Sequence, residues 1–302
     1  MKPSVNPRYH LQKPDDLSAA LRDLRGYWKF WSSCLLNNCG LPTARGIIIT
    51  RTFPEMRNEF DQFLVETGSS AILIRHDKQT ESPPYPRGGF LVGRELLFEA
   101  VNFFFTLDRI VAIYETVDPL LNKHNMNLLF ESDQEVWVEV VGPGFDASDL
   151  QRGDITPHET FAVSLSAEGN ISEIKLISRV DQTAYNESVQ ARKNKIQKKL
   201  QTSPSPTLAH KIRENLRIPD DLEIYLKNID SPLIQSPHYQ PIQEKLLRDT
   251  VAHIVQSQVM NRFLDSTGAR FPLVFSTSLV NRGKKQVFWD IVSPTLKFEG
   301  LG

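Results

Sequence analysis

Residues 136–159, V-W-V-E-V-V-G-P-G-F-D-A-S-D-L-Q-R-G-D-I-T-P-H-E, gather carboxylates, glycines and an arginine into one strand-and-loop stretch. β-branched and aromatic residues alternate around Glu139, the pattern of a strand. Gly142, Pro143 and Gly144 stop it, because glycine admits positive φ and proline has no N–H for the ladder. A polar loop follows with Asp146, Ser148, Asp149, Arg152, Gly153 and Asp154. Backbone amides and an arginine beside glycines can hold a phosphorylated ligand or a metal–phosphate complex. The same residues also suit a hairpin with a long, well-capped turn.

Three more groups have the chemistry of an anion or metal site. Arg75 leaves the apolar run A-I-L-I at its end, where a guanidinium can take a phosphate bidentately or pair with nearby Asp77. Arg87, Gly88 and Gly89 lie in a connection rich in proline and charge, and glycine backbone approaches an anion without a Cβ clash. Gln286, Phe288 and Asp290 are spaced by two on a predicted strand and are expected to share a face. Asp290 with Gln286 then offers oxygen ligands to a metal, or Asp290 is a hydrogen-bonded acid at a strand end. Glu139 is either a second metal ligand or one half of a structural ion pair with Arg75 or Arg152, since a charge inside an apolar strand needs a partner. Arg152 is also a candidate for a substrate anion.

The elements that must position these groups alternate along the chain. Residues 1–15 read as an arm, and 17–36 as one or two helices from the spacing of Leu17, Leu21, Leu24, Trp28 and Trp31. Strand 46–50, amphipathic helix 53–67 and strand 71–74 follow, a succession that makes a right-handed crossover if the strands are parallel. The connection from Asp77 to Phe90 is expected as an exposed loop, followed by a helix over 93–105 and a strand over 110–114. The amide-rich residues 122–127 suggest a turn. Strands are expected at 128–130 and 136–141, a hairpin over 161–166 and 174–178, and a polar, lysine-rich helix over 183–203. Helices over 208–215, 220–228 and 243–264 precede closing strands 273–278 and 286–291. The length suits two domains or one large bilobed domain, expected to divide into 1–112 and 113–302 with a helical insertion near 183–265.

Composition narrows the classes. The chain has 302 residues, 40% of them hydrophobic and 24% charged, with a net charge of −1, so no global field draws it to nucleic acid or an anionic membrane. No apolar run approaches the roughly 18 residues needed to span a bilayer, and no apolar h-region of a secretory signal is present, so a cytoplasmic location is the expectation. The two cysteines, Cys34 and Cys39, lie in an apolar segment and read as small buried hydrophobes. There is no H-E-x-x-H, P-loop or G-x-G-x-x-G motif. Partner and oligomeric state stay open beyond a small-molecule substrate.

Five fragments, in order, resemble one family: G-L-P-T-A-R-G-I-I-I-T, A-I-L-I-R-H-D-K, Y-P-R-G-G-F, the stretch 136–159, and V-F-W-D-I. The likeness is to the nucleotide-binding domain of phosphoenolpyruvate synthase and pyruvate phosphate dikinase, an ATP-grasp fold. The family's V-R-S-S matches Arg75, with His76 and Asp77 in place of the serines. Its I-E-A-x-x-G-L-G-E resembles residues 138–144, and its D-I-E-W resembles 287–290, with Phe288 where the family has a carboxylate. The resemblance implies a bilobed α+β fold holding ATP and Mg²⁺ between its lobes. It also implies a phosphate-binding Lys29, if G-Y-W-K corresponds to the family's G-G-K. Arg75, Arg87, Gly88, Gly89, Gly142 and Gly144 would join Lys29 around the nucleotide. Arg75 and Arg152 would act on the transferred group, and Glu139, Gln286 and Asp290 would hold the metal. The implied activity is ATP-dependent phosphoryl transfer or ligation by a kinase- or ligase-like enzyme. The departures at His76, Asp77 and Phe288 favour the alternative, a non-catalytic nucleotide-binding or interaction scaffold.

Overall fold

The computed structural model describes residues 5–68, 71–79, 89–93, 97–115, 122–143, 145, 147, 150, 153, 155–201, 239–280 and 285–294. They form two α+β lobes, each built on one antiparallel sheet. The first sheet runs β1-β2-β5-β3-β4, from β1 (Arg8–His10), β2 (Gly46–Ile49), β3 (Ala71–Asp77), β4 (Gly89–Gly93) and β5 (Ile110–Tyr114). Strand alternation splits its residues between two cores. Ile47, Ile49, Ile72, Ile74, Val111 and Ile113 face α3 (Met56–Thr67) and α4 (Leu97–Thr106). Ile48, Leu73, Ala112 and Tyr114 face α1 (Pro14–Asp23) and the Phe30/Cys34 side of α2 (Trp28–Asn38). Strands β2 and β3 both pair antiparallel with β5, so they run in the same direction but with β5 between them. Helix α3 therefore crosses over an intervening strand.

The second sheet runs β11-β10-β6-β7-β8-β9, from β6 (His124–Phe130), β7 (Glu135–Val141), β8 (Glu159–Leu165), β9 (Ile171–Arg179), β10 (Leu273–Val280) and β11 (Lys285–Val292). Alternate residues, among them Met126, Leu128, Val136, Val138, Val140, Phe161, Val163 and Phe275, make an apolar face. It is covered by α6 (Glu244–Gln256), α7 (Val259–Thr267) and the Trp28/Trp31/Leu35 side of α2. The stacked Trp28 and Trp31 rings, 5.0 Å apart, pack against Phe263 of α7. Helix α2 belongs to both cores, which is why every residue from Trp28 to Leu36 is buried. Cys34 is a core residue and burial raises its thiol pKa, as expected of a small hydrophobe.

Several expectations are corrected. The segment read as an arm contains β1, an edge strand on β2. Residues 89–93 form β4 against β3, where an exposed loop leading into a helix was expected. The amide-rich segment is mostly β6, not a turn: Asn125 and Asn127 are buried, and their carboxamides donate to the carbonyls of Phe145 and Ala147. Tertiary acceptors here outweigh the local turn preference of asparagine. The helix expected over 243–264 is two, separated where Gln258 adopts φ 55°. The division at residue 112 falls inside β5, and the helices expected over 208–215 and 220–228 lie outside the described residues. Helix α5 (Gln182–Gln201) is where the polar helix was expected.

Residues 239–242 lie against the second sheet, and one carboxylate fastens them. Glu159 has no exposed surface; its Oε1 accepts Arg179 Nε and Nη2 at 2.7 Å each. Its Oε2 accepts the Tyr239 hydroxyl at 2.9 Å and the Ile242 N–H at 2.7 Å. His124 Nε2 adds a donation to the Gln240 carbonyl at 2.8 Å. Arg179 is 40% exposed and can turn to solvent, but losing the buried carboxylate leaves the Tyr239 hydroxyl and the Ile242 N–H without their acceptor. Glu159→Ala is therefore expected to cost about 1–3 kcal/mol in urea unfolding, with faster amide exchange at Ile242 than in wild type.

Candidate functional site between the two sheets

Among the described residues two ion pairs join the sheets, Lys285–Glu115 at 2.6 Å and a more buried one between Arg75 and Asp290. Leu73, Arg75 and Asp77 share the face of β3 that looks toward the second sheet, while Ile72 and Ile74 look toward α3 and α4. Arg75 Nη2 donates to Asp290 Oδ2 at 2.8 Å, both side chains being 14% exposed, and Nη1 reaches the Trp289 carbonyl at 3.4 Å. The Arg75 guanidinium also stands 5.9 Å from the Trp289 ring centre. Ser33 of α2 donates to the same carbonyl at 2.7 Å, so helix, strand and arginine converge on one peptide. Asp290 Oδ1, at this junction, is buried with no hydrogen-bond partner among the described residues. Burial pushes the Tyr114 hydroxyl up to about 12, opposed by the nearby Arg75 charge. The expected pairing of Arg75 with Asp77 or Glu139 is corrected: its carboxylate partner is Asp290.

Gln286 and Asp290 do not share a face. Ser276 pairs with Asp290 and Thr277 with Phe288, leaving Trp289 as the extra residue of a β-bulge. The bulge reverses the alternation. Gln286 and Phe288 point to the apolar side, where Gln286 Nε2 donates to Thr250 of α6 at 2.7 Å, and Asp290 points to the other side. No bulge was visible in the spacing, which counted only residues along one strand.

On that other face the register places Asp290, Ser276, Asn127, Glu139, Thr160 and Ser178 side by side on six neighbouring strands. Ser276 Oγ donates to Asn127 Oδ1 at 3.1 Å. Glu139 is half-buried, desolvation raises its pKa, and it makes no ion pair among the described residues. It is three strands from Asp290, roughly 14 Å at about 4.8 Å per strand, too far for both carboxylates to hold one ion. The three residues expected to hold the metal are therefore not brought together. Among the described residues no three His, Cys, Asp or Glu side chains converge on a metal position. The row itself was missed: only the pairing of β10 with β6, distant in sequence, aligns Ser276 with Asn127.

Lys29 is 4% exposed and its ammonium donates to the His76 carbonyl at 3.0 Å. Asp77 Oδ2 accepts the Lys29 N–H at 2.8 Å and the Phe30 N–H at 3.4 Å, closing the N-terminus of α2 with a carboxylate from another strand. Burial raises the Asp77 carboxyl to about 6 against the opposing Lys29 charge. His76 points the opposite way, stacked on Phe104, its Nδ1 accepting from Arg109 at 3.0 Å.

Gly89 pairs with Arg75 across the β3–β4 ladder, which brings it beside the arginine. Arg87, Gly88, Gly144 and Arg152 lie outside the described residues. Gly142 is close-packed from within the protein: a Cβ there would sit 2.9 Å from Tyr239 and 3.1 Å from Tyr185. Its N–H donates to His158 Nδ1 at 2.9 Å. His158 is 1% exposed and ringed by Phe145, Tyr185 and Tyr239. Because Nδ1 accepts, Nε2 carries the proton and donates to Ser188 Oγ at 3.1 Å. The close approach available at Gly142 is thus used by tyrosine rings, and the end of the 136–159 stretch is a clamp on α5.

No protein-family model matches this chain, and no curated protein does. Solved structures similar to it include the D-alanyl-alanine synthetase A of Vibrio cholerae, at 10% identity and TM-score 0.39, covering 92% of this chain and 56% of that one. An N5-carboxyaminoimidazole ribonucleotide synthetase in complex with ADP matches at 9% identity and TM-score 0.40, covering 92% of this chain and 50% of that one. A RimK domain ATP-grasp protein of Sphaerobacter thermophilus matches at 13% identity and TM-score 0.28, covering 57% and 65%. The chain spans about half the length of the first two. Among the described residues no helix is long and apolar enough to cross a membrane.

Two outcomes test the clamp. Gly142→Ala is expected to displace the Tyr239 ring and cost about 1–3 kcal/mol by overpacking, measured by urea unfolding. Burial, reinforced by the His124 charge, lowers the His158 pKa from 6.5 to about 4. The unfolded chain therefore takes up this proton first, and stability falls as pH drops from 6.5 toward 4. His158→Gln is expected to flatten that part of the stability–pH curve.

Proposed function

We propose that this chain is an ATP-grasp-type protein that binds Mg²⁺-ATP between its two sheets and uses it to phosphorylate or ligate a small substrate. The Arg75–Asp290 pair carries the reading: a cation and a carboxylate, one from each lobe, meet at the head of a polar row. The order of the five sequence fragments supports the same reading, with Arg75 on the phosphate-binding arginine of the phosphoenolpyruvate synthase and dikinase domain. The residues fit a metal in one specific respect. Asp290 Oδ1 is buried without a donor, and Mg²⁺ accepts a carboxylate oxygen while keeping most of its waters.

In this reading Arg75 holds the terminal phosphates and Asp290 the metal, while Ser276, Asn127 and Glu139 line the cleft floor. Mg²⁺-ATP supplies the transferable phosphoryl group. The protein's share is positioning and charge neutralisation in a water-poor cleft, which carry most of such catalysis. Trp289 and Ser33 hold the strand end that presents Asp290, through the shared carbonyl and the bond from Trp289 Nε1 to Ser278 Oγ at 2.7 Å. Arg152 remains a proposed contact to the transferred group or the substrate anion, and Arg87, Gly88 and Gly89 to the phosphates.

One observation favours a second reading, nucleotide binding without turnover. Lys29 is engaged with the His76 carbonyl and Asp77, and Gln286 is turned to the apolar side, so two groups of the expected site serve the fold. Phosphate release and calorimetry separate the readings. Turnover of ATP with Mg²⁺, lost in Arg75→Ala and Asp290→Ala, is expected from the first. Arg75→Ala should also weaken ATP binding roughly ten- to a hundredfold, the worth of hydrogen bonds to a charged group. Binding without turnover selects the second, and absence of nucleotide binding overturns both.

A further inference from the structure

We infer that the Arg75–Asp290 pair is a latch across the cleft that metal and nucleotide open only together. The inference rests on the nucleotide reading above and concerns how that site is regulated. The pair joins β3 of one sheet to β11 of the other, beside a second, more exposed ion pair between Lys285 and Glu115 at 2.6 Å, and each partner satisfies the charge of its opposite. It is not a completed structural network. Asp290 Oδ1, buried at the junction, has no hydrogen-bond partner among the described residues. Buried ion pairs that serve stability alone need their remaining lone pairs and protons satisfied, because desolvation otherwise outweighs the attraction. The junction thus keeps unused capacity for an acceptor-seeking cation.

Charge decides the order of opening. A polyphosphate that takes Arg75 without a metal leaves the Asp290 carboxylate facing another anion. A metal that takes Asp290 without a nucleotide leaves the Arg75 guanidinium facing another cation. Only the two together replace both halves of the pair, so each ligand strengthens the other by the same factor. The bulge at Trp289 makes this possible by turning Asp290 to the cleft side, against Arg75, instead of leaving it with Gln286.

Removing the carboxylate gives a result that a simple metal-ligand role does not. Calorimetry with ATP in EDTA and with ATP plus Mg²⁺, on wild type and Asp290→Asn, reads it directly. In wild type, metal-free ATP is expected to bind at least tenfold more weakly than Mg²⁺-ATP, and Mg²⁺ alone to leave the melting temperature unchanged. In Asp290→Asn, metal-free ATP is expected to bind at least tenfold tighter than in wild type, with little further gain from Mg²⁺. Arg75→Gln is the mirror variant and serves if Asp290→Asn does not fold: Mg²⁺ alone should now raise its melting temperature. Wild type that binds Mg²⁺-ATP, with Asp290→Asn binding metal-free ATP no tighter than wild type, overturns the latch and leaves the nucleotide reading standing. If Asp290→Asn does not fold, Arg75→Gln showing no response to Mg²⁺ alone overturns it equally. Wild type that binds ATP under neither condition overturns the nucleotide reading itself.

Discussion

Helix α2 is buried on all sides, and a buried helix N-terminus must find acceptors for its free N–H groups. Its own flanking residues supply no side-chain cap. Asp77 does so from the end of β3, and much of the architecture follows from that one requirement. The carboxylate fixes where β3 ends relative to α2. Strand alternation then puts Arg75 on the same face as Asp77, toward the second sheet. Because α2 also packs Trp28 and Trp31 into the core of that sheet, the helix sets the distance across which Arg75 meets Asp290.

The same economy explains why some residues expected at a ligand serve the fold. Lys29 is the second residue of α2 and is drawn to the charge and carbonyl at the end of β3. His76 and Asp77 point to opposite faces, so one stacks on Phe104 while the other closes the helix. At the far end of the second sheet, Glu159 and His158 hold α5 and residues 239–242 through neutral and ionic bonds in a largely apolar setting. That region is a structural clamp, while Asp290, Ser276, Asn127 and Glu139 form a polar row across the strands.

Much of the fold was legible because local patterns decide it. The fully apolar β5 and the alternation of β7 appear at the expected places. The α+β class and the hairpin of β8 and β9 were legible for the same reason, as was the helix ending at Thr67, where Gly68 adopts φ 62°. Errors arose where a tertiary partner overruled a local preference. Asn125 and Asn127 look like turn residues until Phe145 and Ala147 supply acceptors, and residues 89–93 look like a loop until β3 pairs with them.

By itself the sequence determined the class of fold and the places of its strongly patterned strands and helices, because apolar periodicity and backbone preference act over a few neighbours. It also marked Arg75, Glu139 and Asp290 as charges that apolar strands would have to accommodate. Only the tertiary structure decided their partners. One extra residue at Trp289 reversed the alternation of β11, separated Asp290 from Gln286 and set it against Arg75. Register between strands distant in the chain aligned Asp290, Ser276, Asn127 and Glu139, and held the two carboxylates three strands apart. A bulge and a register belong to pairs of strands, and no single stretch of residues encodes them.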